Sequence, residues 1–369
     1  MSRRLFTPGP THVREEILAE MARQPIGHRG AEMRALMAEI LPGLRRLFGA
    51  GDGPGYSVFP ATSSGTGLME AAVATAVRPG ERVLNLVCGG FSERWHAITR
   101  ALGREGVPLR FEWGRGIPAE AVEEELRRGD YAALTLVHNE TSTGVLNPPE
   151  EIAAAAARRG ALLLVDTVSS LGGVPVEVRR DGIDVCVSAS QKCLALPPGL
   201  ALGAVSARAL ERARDNPRRG FYFDLTKYVS AAEKGEAPFT PATSHYFALR
   251  RQLEAIERET LEARCARHIA MRDHVHAWVG TMGGRLSLFA EDGYRSPTVT
   301  VVEVCGDHSV AALLREVSER GFVLGGGYGT LQDRTFRIGH MGDHTVEDVK
   351  ALTEAITDCL GKSCAPSRR

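Results

Sequence analysis

Residues 161–173, "ALLLVDTVSSLGG", and 184–206, "DVCVSASQKCLALPPGLALGAVS", decide how the rest of this 369-residue chain is read. The first is an apolar β run that ends on a single carboxylate, Asp166. The second is another apolar run that enters a turn of small residues and presents a single amine, Lys192. Ligands of α/β sheets gather outside the carboxyl ends of the strands, so a lone acid and a lone amine at two such ends point to one crevice. An aromatic aldehyde cofactor needs those two groups: an amine for a Schiff base, and a carboxylate to keep a pyridinium nitrogen protonated. Taken singly, Lys192 also fits a solvated turn and Asp166 a helix cap.

On the N-terminal side of these runs, strands and helices alternate. After some twenty residues rich in Pro, Gly and Arg, Met33, Leu36, Met37, Ile40 and Leu44 recur at helical spacing. The strand "YSVFP" leads to the helix "TGLMEAAVATAV", "RVLNLV" to the helix around "RWHAITRAL", "LRFEWG" to "AEAVEEELRRG", and "AALTLVHN" to "PEEIAAAAARRG". Such units with near-continuous apolar strands predict an α/β fold whose mostly parallel sheet is covered by helices on both faces. After Ser206 a loop-rich piece precedes one long helical stretch from about His245 to Val279. The strands and helices that follow predict a smaller α+β domain. The expected division is an arm at 1–20, a large domain at 21–262 and a small one at 263–369.

Composition excludes several classes. Lysine plus arginine (45) equals aspartate plus glutamate (45), so no basic face favours nucleic acid. No apolar run approaches the roughly 20 residues that span a bilayer. No apolar stretch of signal-peptide length precedes the first prolines, and the seven cysteines are odd in number with no C-x-x-C spacing. A reduced, cytoplasmic protein with no membrane segment and no protein-built metal site is expected.

Other strings place polar chemistry at strand ends. "ATSSGTGLMEAA" (61–72) sets Ser63, Ser64, Gly65, Thr66 and Gly67 at a strand-to-helix turn. Glycines admit an anion, and the helix N-terminus and hydroxyls donate to it, although an ordinary serine cap has the same look. The string lacks G-x-G-x-x-G and Gly-Lys-Ser/Thr, so a monophosphate fits better than a dinucleotide or a nucleoside triphosphate. "VCGGFSERW" (87–95) puts Phe91 beside a glycine turn, where it either stacks on a flat ring or packs in the core. "VHNETSTGVLNP" (137–148) supplies Asn139, Thr141, Ser142 and Thr143 for a phenolic oxygen or for a helix cap. "GGGYGTLQDRTFRIGHMG" (325–342) puts Arg337 on a strand, opposite its flanks Phe336 and Ile338. An arginine fork binds a carboxylate bidentately; a surface arginine is the plainer reading.

Together, "FTPGPTHV", "GHR", "SSGTGLMEA", "HNETSTGVLNP", "VDTVSSLGG", "SASQKCLALPPGLA", "FYFDLTKY", "FTPATSHYFALR" and "FRIGHMG" resemble, in family order, the class V (fold type I) pyridoxal-phosphate aminotransferases. The alanine/serine–glyoxylate (serine–pyruvate) group is the nearest in pattern. The resemblance implies pyridoxal 5′-phosphate as cofactor, Lys192 as the Schiff-base lysine and Asp166 as partner of the pyridine nitrogen. It further implies that Ser64, Gly65 and Thr66, with Gln191, hold the phosphate, that Phe91 stacks on the ring and that Thr141 lies near the phenolic oxygen. Arg337 matches the arginine for the substrate carboxylate. Thr240 matches a threonine that reaches the neighbouring subunit's cofactor phosphate, which implies a homodimer with shared sites. Gly27 and His28 match a loop approaching the active site and its substrate.

Two departures stand out. A tyrosine found three residues before that threonine is Ala237 here, with Tyr222 or Tyr228 as candidate substitutes. After "GHR" the chain has Gly30-Ala31-Glu32-Met33 in place of a Ser/Thr-Pro-Glu-Phe pattern. The activity implied is ping-pong transamination from a small L-amino acid, alanine or serine, to glyoxylate or pyruvate. The alternatives are a 2-aminoethylphosphonate–pyruvate aminotransferase and a class V lyase such as a cysteine desulfurase, for which Cys364 is the candidate thiol.

Overall fold

A computed structural model describes residues 3–306 and 308–362. Two large sheets, a two-stranded one at Asn139–Glu140 and Val145–Leu146, and two large hydrophobic clusters organise them. The larger sheet has seven strands in the order Tyr56–Thr62, Leu200–Ser206, Val185–Ala189, Leu162–Asp166, Ala133–Val137, Arg82–Val87, Glu105–Arg110. Leu200–Ser206 pairs antiparallel with both of its neighbours, and every other pairing in the sheet is parallel. The strand that ends on Asp166 is therefore central, with Asp166 in register with Val187 on the strand that leads to Lys192. Both strands are buried along their whole length, which is why they read as continuous apolar runs rather than as alternating ones.

The helix Ala31–Leu47 buries the expected stripe Met33, Leu36, Met37, Ile40 and Leu44. Two expectations are corrected. The strand placed on "LRFEWG" lies earlier, at Glu105–Arg110, and pairs with Arg82–Val87 at the sheet edge. The single helix expected from His245 to Val279 is two helices, Thr243–Glu259 and Leu261–Thr281. Thr260 breaks them: it takes φ +68° and its side chain accepts from the Ala263 N–H, capping the second helix.

The second sheet orders Arg4–Phe6, Phe322–Gly326, Thr335–Ile338, Thr300–Val304 and Leu286–Leu288. Arg4–Phe6 lies parallel to Phe322–Leu324, so the N-terminal segment is the edge strand of the sheet farthest from it in sequence. Phe336 and Ile338 enter the second core and Arg337 turns the other way, as their alternation requires. A fully buried arginine, Arg264, ties the helix Leu261–Thr281 to the Lys192 turn. It donates to the carbonyls of Gly172 (3.0 Å) and Cys193 (2.8 Å) and pairs with Glu259 (2.8 Å) and Asp343 (2.7 Å). Cys88, Cys186, Cys193, Cys265 and Cys359 are buried, as expected of core residues. No helix among the described residues is long and apolar enough to cross a membrane.

Candidate active site

Lys192 is buried at the turn after Val185–Ala189, and its amine donates to the carbonyl of Pro8. Asp166 is buried at the end of its strand and accepts from the Val168 N–H at 2.7 Å. Their hydrogen bonds go elsewhere, yet each acts on the other's charge. Burial, and then Arg337, push the Lys192 amine down to about 8, against the pull of Asp166. Burial pushes the Asp166 carboxyl up to about 7; Glu140 adds to this, and the Val168 N–H, Lys192 and Arg94 oppose it. A desolvated carboxylate with one backbone donor gains a counter-charge from a protonated ring nitrogen. The donor set therefore fits a pyridinium.

The expected anion cup is a helix start. Ser64 caps the helix Gly65–Ala76 and accepts from the Gly67 N–H at 3.2 Å. Gly65 must be glycine: a Cβ there would lie 2.6 Å from Val168 and 3.3 Å from the Cβ of Ala189. The cup thus rests directly on the two strands that carry Asp166 and Lys192. Gln191 neighbours Lys192, and its carbonyl accepts from the Thr11 N–H.

Phe91 lies 5.7 Å from the Lys192 amine, measured to the ring centroid, and 5.5 Å from the ring of Tyr328. Arg337 donates from Nε to the Gly326 carbonyl at 2.7 Å and from Nη1 to the Thr141 carbonyl at 3.4 Å. Its guanidinium sits 5.7 Å from the Tyr328 ring. Contacts link several of the expected residues: Lys192 faces Phe91, Arg337 reaches the Thr141 carbonyl, and Gly65 packs against Val168 and Ala189 beside Asp166 and Lys192.

Three residues lie elsewhere in the single chain. Gly27 and His28 form a turn before the helix Ala31–Leu47, with only local bonds to Gly30 and Arg29. Thr240 is exposed and lines a small recess with Tyr222, Tyr228, Phe239 and Ala237. Tyr222 donates to the Thr62 carbonyl at 2.9 Å and stacks on Phe239 at 4.7 Å. Cys364 lies outside the described residues. No cluster of His, Cys, Asp and Glu suited to a metal ion occurs among the described residues.

The sequence reading missed three members of the site. Arg94 donates to Thr66 Oγ1 (3.2 Å) and to the Tyr328 hydroxyl (3.2 Å), and lies 4.7 Å from the centre of the Phe91 ring. Tyr328 packs where Gly90 leaves room, since a Cβ on Gly90 would come 2.3 Å from its ring. Glu140 is fully buried behind Phe91. Arg94 lies one helical turn after Phe91 and Glu140 directly before Thr141, so adjacency to those two was the available signal.

The Aminotransferase class-V family model matches residues 6–352. An uncharacterized aminotransferase of Methanocaldococcus jannaschii is 40% identical over 92% of this chain and 87% of its own. A serine–glyoxylate aminotransferase of Methylorubrum extorquens is 33% identical over 92% and 86%. The crystal structure of an alanine–glyoxylate aminotransferase from Nostoc sp. superposes with a TM-score of 0.92 at 33% identity, covering 98% of this chain and 96% of that one.

Proposed function

Because this chain belongs to the class-V aminotransferase family, we propose that it moves an amino group from alanine or serine to glyoxylate or pyruvate. It is a transaminase of fold type I, and pyridoxal phosphate is its cofactor. The observation that carries the finer reading is the placing of Asp166 and Arg337 around Lys192, whose buried amine feels the charge of both.

Bound pyridoxal phosphate supplies an aldehyde that exchanges amino groups and a protonated ring that withdraws electrons. Ser64, Gly65, Thr66 and Gln191 would hold its phosphate, Phe91 its ring face, Thr141 the side of its phenolic oxygen and Asp166 the proton on its ring nitrogen. Lys192 would anchor it covalently. Arg337 binds the substrate carboxylate through its fork and so aims the α-carbon at Lys192. Lys192, with an amine lowered to about 8, is half deprotonated near neutral-to-mild alkaline pH, which suits a base that takes the α-proton and later returns it. Donor and acceptor use the same site in turn, in two half-reactions.

The same reading takes 21–262 as the cofactor-binding domain, 263–369 as the smaller domain and 1–20 as an arm. It makes the chain a cytoplasmic homodimer in which Thr240, Gly27 and His28 serve the partner's site. A second reading, an acidic donor such as aspartate or 2-aminoethylphosphonate, is favoured by Arg94, a cation that shares Tyr328 with Arg337.

The test is an absorbance spectrum of the purified protein loaded with pyridoxal phosphate, followed by L-alanine, L-serine, L-aspartate or 2-aminoethylphosphonate. Bleaching of the visible band by one donor, and its return with glyoxylate or pyruvate, supports the reading and ranks the donors. A protein that forms no such band, or a Lys192→Ala variant that turns over at the wild-type rate, overturns it.

A further inference from the structure

Glu140 has no exposed surface, and its hydrogen bonds come from five backbone and serine donors. Oε2 accepts from the N–H groups of Phe91 (3.1 Å) and Ser92 (3.0 Å) and faces the Ser92 hydroxyl at 3.1 Å. Oε1 accepts from the Ser142 N–H (3.2 Å) and hydroxyl (2.6 Å). The Ser142 oxygen in turn accepts from the Gly90 N–H at 2.9 Å. Gly89 keeps the space open, since a Cβ there would lie 2.4 Å from Glu140 Cγ and 2.5 Å from Ser142 Oγ. Burying a carboxylate without a direct ion pair is costly unless charge-assisted donors replace its water, and here they are drawn from two segments 48 residues or more apart, while Arg337 is near enough to feel its charge.

Those segments carry different functions in the reading above. One is the start of the helix Gly90–Ala101, which presents Phe91. The other is Thr141–Ser142, and the Thr141 carbonyl receives the Arg337 guanidinium. We propose that Glu140 is a positioning residue that locks the ring-facing wall at Phe91 and the substrate-carboxylate arginine Arg337 into one rigid unit. The helix N-terminus favours its negative charge on the Phe91 side. On the Arg337 side the link is the Ser142 N–H and hydroxyl, which fix where the Thr141 carbonyl points. The inference rests on Arg337 binding the substrate carboxylate and on Phe91 facing the cofactor.

Glu140→Gln separates the two halves. Its single amide oxygen can keep the Phe91 and Ser92 N–H groups, but its NH2 then faces the Ser142 N–H, and two donors repel. The expected result in the loaded enzyme is a KM for the amino acid raised about tenfold, the magnitude of one hydrogen bond to a charged group, with a smaller change in kcat. The visible circular dichroism of the bound cofactor, which senses the wall at Phe91, should stay close to wild type. Ser142→Ala keeps the charge and removes one donor, so a smaller KM rise in the same direction is expected, and this variant serves if Glu140→Gln does not fold. Wild-type KM in the variant that folds, or equal losses in kcat and cofactor dichroism without a KM change, overturns the proposal. Failure of the wild-type protein to bleach with any donor would sink the functional reading instead, and the two failures are distinct.

Discussion

A Cβ on Gly9 would lie 2.4 Å from both Cδ and Cε of Lys192 and 2.7 Å from its amine. The backbone at Gly9 also takes φ +119°, outside the range that side chains favour. The N-terminal segment thus forms one wall of the lysine's channel, and that wall must have no side chain. Gly9→Ala is expected to lose about 1–3 kcal/mol of stability from strain and to weaken pyridoxal-phosphate binding, because Lys192 must move. Denaturant unfolding and a cofactor titration check both; unchanged cofactor affinity would show that Lys192 does not depend on this contact.

Asp166 and Lys192 predict opposite pH signs for the protein without cofactor. The Asp166 carboxyl is raised to about 7, so its contribution to stability is present below the ordinary carboxylate range and is lost as pH rises through about 7. The Lys192 amine is lowered to about 8, so its contribution is present above the ordinary lysine range and is lost as pH falls through about 8. Asp166→Asn is therefore expected to melt at a higher temperature than wild type at pH 8, with the gap narrowing as pH falls through about 7 and closing only below the ordinary carboxylate range. It should also bind pyridoxal phosphate more weakly at both ends of that range. Thermal melts of the cofactor-free proteins decide this, and a gap independent of pH would refute it.

Arg337→Lys keeps the charge and loses the fork. The KM values for amino acid and oxo acid are expected to rise about 10- to 100-fold, since hydrogen bonds to charged groups contribute about 1.5–3 kcal/mol. Cofactor affinity should hold, and steady-state kinetics with both substrates would expose a fall in cofactor affinity as the real cause.

Arg264 has a side chain only 2% exposed, and it joins Glu259, Asp343 and the carbonyl of Cys193, the residue after Lys192. Arg264→Met leaves Asp343 (10% exposed) with Arg14 and Gln252 as its remaining partners. A loss of about 3–5 kcal/mol is expected in chemical denaturation. A loss below about 1 kcal/mol would mean that the network is a surface feature of low value.

Local pattern carried much of the site. Lys192 and Asp166 stand where apolar strands stop, Gly65 where a strand turns into a helix, and Arg337 on the opposite side of its strand from Phe336 and Ile338. Each is a statement about periods of two or 3.6 residues and about turn chemistry, and the chain spells those out in order. The break at Thr260 was hidden for the converse reason. Apolar spacing continues across it, and only a positive φ at a threonine marks the change of helix.

What the sequence by itself determined, then, is the alternation of strand and helix, the placing of polar groups at strand ends and the family pattern. Tertiary structure alone decided who meets whom. Pro8 reaches Lys192 across 184 positions, Arg94 reaches Tyr328 across 234, and Arg337 reaches the Thr141 carbonyl across 196. No local period encodes these separations. They arise because the N-terminal strand is bound into the second sheet, and burial drives polar groups brought together by the fold to find partners.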